Sequence, residues 1–249
     1  MACNYNVHYE VAATIFMGLL LIYMHLQYNV KVKINREFRA LAILMLFADL
    51  LDIITAFAID NGSKIPDGWN LFLTEVYFAS NMLVGTQFVR YAITLSGLKK
   101  SKSKVMIATW IGLGIYILAL VLNPFFGFLC SFRDGVYLHG PVYPVIYIWP
   151  YIFVLISTGV ALVNAPKLQQ TGRKLLMIFY MGFSVAGAFL QYMVFPKTLL
   201  ALFSVSLGMV FIMFLLETPD YEKLTETLKE LEQSKEKAQE ATQDRKSVV

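Results

Sequence analysis

One run of residues limits what this chain can become. From Thr198 it reads TLLALFSVSLGMVFIMFLL, about 19 residues without a charge, and then turns into TPDYEKLTETLKELEQSKEKAQEATQDRK. The first part is long enough to cross a hydrocarbon core of about 30 Å as a helix. The second part is rich in Glu, Lys and Gln, and its Leu224, Leu228, Leu231 and Ala238 fall on one narrow apolar seam. Such a seam suits pairing with another helix in water rather than burial in lipid. A span that feeds a polar pairing helix is a coupling rod. Thr218-Pro219 reads as an N-cap followed by proline at the first helical position. Asp220 and Glu222 then occupy the first turn, where the helix dipole favours negative charge. A new helix is therefore expected to start at this point; the alternative is one continuous, proline-kinked helix. The expected division is a membrane domain over 1–217 and a cytoplasmic coiled-coil linker over 218–249.

The rest of the chain is of one kind with that run. Hydrophobic residues make up 57% and charged residues 15%, a balance that points to a polytopic membrane protein. The N-terminus, MACNYNVHYE, has no basic region ahead of its apolar run, so it is expected to be a retained span and not a cleaved signal. Seven spans are expected, at 11–27, 38–59, 69–95, 105–122, 142–163, 175–195 and 198–216. The third is over-long and polar in places, which fits a tilted or protruding helix. Three alternate loops carry Lys31, Lys33, Arg36, Arg39, then Lys99, Lys100, Lys102, Lys104, then Lys167, Arg173 and Lys174. The other loops hold only Lys64, Arg133 and Lys197. This asymmetry puts the N-terminus outside and the polar rod in the cytoplasm. The same basic residues explain the net charge of +4 as attraction to a membrane surface, with no nucleic-acid partner expected.

The loop between the fourth and fifth spans, PFFGFLCSFRDGVYLHGPVYP, carries an Asp134-Gly135 turn signal between Phe128–Phe132 and Val136–Leu138. It reads either as a small extracellular β-hairpin over the outer mouth or as a compact loop resting on the helix ends. Cys3 and Cys130 both fall on the outer side, where a disulfide between them is possible. Pro144 and Pro150 in span five, and Gly182 and Gly187 in span six, serve either movement or close packing.

Polar groups at membrane depth supply the candidate site. Asp49 and Asp52 share a face of span two at i and i+3, and Glu75 lies at a depth close to that of Asp52. Carboxyls in a bilayer face the bundle interior or a water-filled cavity. These three can be held neutral, bind a cation or a cationic ligand group, or relay protons. The plainer alternative is that they hydrogen-bond neighbours such as Asn81, Gln87 or tyrosine hydroxyls. Arg90 lies nearer the inner surface and is expected to snorkel there. His8, His25 and His139 read as interface residues. Asp49, Asp52, Glu75, Asn81 and Arg90 are thus the ligand-binding or signalling candidates. No metal-ligand cluster, cofactor motif or catalytic constellation is visible: there is no Walker loop, nucleophile elbow or HExxH, and span seven has no internal lysine to carry retinal.

The chain resembles the seven-transmembrane input region of bacterial sensor histidine kinases, and of relatives that carry GGDEF diguanylate cyclase domains. The resemblance rests on the seven-span plan, on NREFRALAILMLFADLLDIITA, on VYLHGPVY and most of all on LETPDYEKLTETLKELEQSKEKAQEATQDRKSVV. In that last segment Glu217, Pro219, Asp220, Leu224, Leu228, Leu231 and Lys246-Ser247 follow the family outline. The resemblance implies an all-α seven-helix bundle in the bacterial plasma membrane and a homodimer joined through the C-terminal helix. It also implies a small-molecule or peptide ligand, and an output domain following that helix. Two other classes compete: a small transporter or ion channel using Asp49, Asp52 and Glu75, and an intramembrane enzyme using the paired aspartates. The absence of a visible inverted repeat weighs against transport. The placement of both aspartates on one helix weighs against the enzyme.

Overall fold

In a computed structural model the chain is mostly helical, and it divides into two compact units, Met1–Val210 and Phe211–Val249. The structure describes residues 5–27, 33–96, 98, 104–163, 171–195 and 197–214, with 227, 230, 231, 234 and 235. In the first unit, α1 (His8–Gln27) and α2 (Lys33–Asp60) are followed by a 3₁₀ turn (Gly62–Lys64) and α3 (Asp67–Leu95). Next come α4 (Lys104–Phe126), the strands β1 (Cys130–Arg133) and β2 (Val136–His139), α5 (Val145–Val163) and α6 (Thr171–Met193). A further helix, α7, covers Ala201–Phe214.

Four of the described helices, α1, α2, α4 and α5, are long and apolar enough to cross a membrane. Their outward faces are unsuited to water. Leu19, Ile22, Leu118 and Val121 are each more than half exposed, which a soluble surface rarely tolerates in such density. α3 is long enough at 29 residues but too polar to count among the four. The reason is its position. It packs against α2, α4, α5 and β1, so Asn70, Thr74, Ser80, Thr86 and Gln87 are all buried in protein. Gly85 lets α5 come close, a Cβ there standing 3.2 Å from the Pro150 carbonyl.

Of the boundaries that differ from the sequence reading, two bear on the site. α1 starts at His8 rather than 11, because the Asn6 side chain caps it, Oδ1 accepting from His8 N–H at 3.1 Å. That extra turn carries Glu10 into the bundle, where it is fully buried. α7 starts at Ala201 rather than 198. Thr198 is drawn off into a parallel bridge with Asn6. Gln191 of α6 then caps the new helix, its Oε1 accepting from Leu200 and Ala201 N–H at 2.7 Å each.

β1 and β2 are antiparallel, pairing Cys130 with His139 and Arg133 with Val136. Asp134 and Gly135, both at positive φ (51° and 75°), make the turn. It docks against the α2–α3 junction, with Gly135 N–H donating to Asp67 Oδ1 at 2.9 Å. Gly62 sits so close to Gly135 that a Cβ on either would strike the other's backbone.

In the second unit the described residues 227, 230, 231, 234 and 235 are helical, and Leu231 is 67% exposed. Pro219, Leu224, Leu228 and Ala238 lie outside the described residues.

Candidate functional site

A cavity of about 650 Å³ opens among α2, α3, β2, α5, α6 and the start of α7. Helix periodicity builds its walls. Asp52, Thr55, Ala56 and Ile59 form one stripe of α2, and Thr74, Tyr77 and Phe78 one patch of α3. Tyr143 ahead of α5, then Tyr147 and Tyr151 within it, recur every four residues. All three line the cavity, with Ile148, Ile152 and Leu155 beside them. β2 contributes Tyr137 and His139, α6 contributes Phe189, Gln191 and Tyr192, and Tyr5 closes the rim. Tyr5 is itself tied down by its N–H, which donates to Asp60 Oδ2 at 2.9 Å.

The aromatic rings are mutually crossed. Tyr143 and Tyr147 meet edge to face at 5.5 Å and 78°, with their hydroxyls 3.0 Å apart. Phe78 and Tyr147 meet at 6.5 Å and 73°, and Tyr137 and Tyr143 at 6.2 Å and 69°. His139 stacks flat on Tyr143 at 3.7 Å. Partial burial lowers the His139 pKa below its ordinary 6.5, so the ring is neutral at pH 7.

Among the described residues Asp52 is the single carboxylate in the lining. The Tyr77 side chain acts on Asp52 electrostatically, and Asn81, one turn further along α3, acts on Tyr77 in the same way. Asn81 itself lines a smaller space of about 50 Å³ that shares Tyr77, Tyr147 and Tyr151 with the large cavity. Thr55, one turn from Asp52, is 4% exposed, and its hydroxyl oxygen has no hydrogen-bond partner.

The other candidates go elsewhere. Asp49 turns to α7, where it accepts from Ser206 Oγ at 2.9 Å. Glu75 leaves the acid group altogether. Its Oε1 accepts from Asn123 Nδ2 at 3.0 Å. Asn123 also donates to the Cys130 carbonyl at 3.0 Å and accepts from Leu129 N–H at 2.8 Å. This pair anchors the α4–β1 loop. Arg90 is not simply a snorkelling cation. It pairs with Glu37 of α2 at 3.6 Å, and Gln87 adds hydrogen bonds to the Glu37 carboxylate (2.9 Å) and carbonyl (3.0 Å). Cys130 carries a free, buried thiol; Cys3 lies outside the described residues.

Glu10 takes the place that Glu75 was expected to fill. It interacts electrostatically with Asp52 and Asp49. Neither of its oxygens has a partner in hydrogen-bond geometry, and the Phe203 amide in the first turn of α7 acts on it from further off. The sequence reading began the first span one residue past it. The Asn6-x-His8 cap was the signal that could have moved the boundary.

Among the described residues no three His, Cys, Asp or Glu side chains converge as metal ligands. What the lining offers is recognition chemistry: one carboxyl group, several hydroxyls and crossed aromatic rings among apolar side chains. No protein-family model matches the chain, and no curated protein matches it in sequence.

Proposed function

We propose that this chain is the membrane-embedded sensory module of a bacterial sensor histidine kinase, and that the tyrosine-lined cavity is its ligand site. One observation carries the reading: a cavity of about 650 Å³, within the range of small-molecule sites, with a lone carboxylate on its wall. The loop charges argue that the β1–β2 end faces outward and that the polar tail faces the cytoplasm. In this reading a ligand enters from outside, changes the packing of α5, α6 and the start of α7, and the C-terminal helix passes the change on as a dimer. The same stalk would serve a diguanylate cyclase output.

Disulfide cross-linking in native membranes tests the proposal. In a Cys3→Ser, Cys130→Ala background, Leu224→Cys, Leu228→Cys and Leu231→Cys are each expected to form covalent dimers several-fold faster than Glu230→Cys or Lys235→Cys. Equal rates at seam and flank positions, or no dimers at any of them, would overturn the dimeric stalk and with it the sensor reading.

A further inference from the structure

The ligand's chemistry follows from what the lining contains and lacks. Among the described residues Asp52 is the only acid in the cavity lining, and neither lysine nor arginine is there. An anionic ligand would therefore find no cationic partner in a largely apolar lining. A metal ion is equally ill served, since one carboxylate supplies two oxygens where hard cations take about six or more. Organic cations are another matter. Ammonium groups are attracted to the faces of aromatic rings within about 6 Å, and crossed rings present faces from several directions at once. Tyr137, Tyr143 and Tyr147 are crossed in this way beside Phe78. Tyr77 and Asp52 stand in the same lining, close enough for Tyr77 to act on the carboxyl. The Thr55 hydroxyl, buried, unpartnered and one turn away, is an unused polar contact on the same wall.

We propose that the cavity binds an organic monocation: an ammonium group held by Asp52 and the Tyr137–Tyr143–Tyr147 cage, with an apolar body extending towards Leu155 and Phe189. The inference deepens the sensor reading and rests on it for the site's role.

The test uses the full chain in lipid nanodiscs and two probes of the same shape: phenylethyltrimethylammonium, and the uncharged analogue in which carbon replaces the quaternary nitrogen. Binding is read by saturation-transfer NMR and titration. The cation is expected to bind at least about tenfold more tightly than its neutral twin, in line with two or more aromatic contacts plus a carboxylate. Asp52→Asn should remove most of that preference while leaving the neutral analogue's affinity within about twofold, and Tyr147→Leu should weaken the cation by about fivefold or more. The wild-type comparison decides by itself should either variant misfold. Equal affinity for the two probes would overturn the proposal, as would tighter binding of the neutral one or a cation affinity indifferent to Asp52→Asn. Cation binding that left the stalk cross-linking unchanged would sink the sensor reading and keep the site. A neutral probe that altered the cross-linking at the same concentration as the cation would sink the cation site and keep the sensor reading.

Discussion

Single side chains settle which polar groups face the cavity. Asp49 and Asp52 share a helix face, yet three residues of an α-helix leave them about 60° apart around the axis. That is enough for one to meet Ser206 on α7 and the other the cavity. Glu75 is two residues from Tyr77, hence on nearly the opposite side of α3, where it meets Asn123. Residue spacing makes Asp49 and Asp52 legible as candidates. It cannot say which neighbour each will find, because that depends on how three helices are rotated against one another. Asn123 is the more telling residue for stability. Asn123→Ala should lower the unfolding free energy by about 2–3 kcal/mol, since it strips partners from Glu75, Leu129 and Cys130 together; a thermal melt in detergent measures this. Burial, and after it the Glu75 carboxylate, pushes the Cys130 thiol up to about 12. In a Cys3→Ser background Cys130 should therefore resist maleimide at pH 8, and Asn123→Ala should speed its labelling at least tenfold. His139 gives a pH signature. Its folded pKa lies below its ordinary 6.5, so the unfolded state takes up the proton first and stability falls as pH drops through and below that value. His139→Phe, which keeps a ring on Tyr143, should flatten that part of a melting-temperature profile measured from pH 7.5 to 5.5.

At the scale of elements, the ends of α2 and α3 are joined twice. Near one end Glu37, Gln87 and Arg90 clamp the two helices together. At the other, the β1–β2 turn rests on Gly62 and is tied to Asp67. Gln87→Ala should cost about 1–2 kcal/mol through the two lost hydrogen bonds, more than the half-exposed Arg90 contact, where solvent screens the charge. Gly62→Val should lift the turn off the junction, loosen the hairpin and speed trypsin cleavage after the already exposed Arg133 in outside-out vesicles. Protection equal to wild type would show that the contact is dispensable. The apolar runs make the helices legible from the sequence alone. The joints between them are not, because Glu37 and Arg90 lie far apart in the chain and become partners only once α2 and α3 are known to be neighbours. The tyrosines at 143, 147 and 151 are visible as a four-residue repeat, but a cavity wall and a packed helix face write the same pattern.

For the molecule as a whole, the four helices long and apolar enough to span a bilayer and their lipid-suited faces point to a membrane protein. Reporter fusions check the orientation argued from loop charge: alkaline phosphatase joined after Gly140 should be active, and joined after Leu98 inactive. The reverse pattern would place the cavity mouth in the cytoplasm. α3 carries a separate consequence for how the protein is made. A helix holding Asn70, Glu75, Asn81, Gln87 and Arg90 is a poor candidate for release into lipid by itself, where each central charge costs about 2.5–3.5 kcal/mol. Its entry has to be underwritten by a helix already waiting, and α2, with Glu37 ready for Gln87 and Arg90, is that chaperone within the chain. The third segment is therefore expected to depend on the second for its insertion: a chain with α2 deleted should leave α3 outside the bilayer, and the same polar residues that shape the interior would then set birth order.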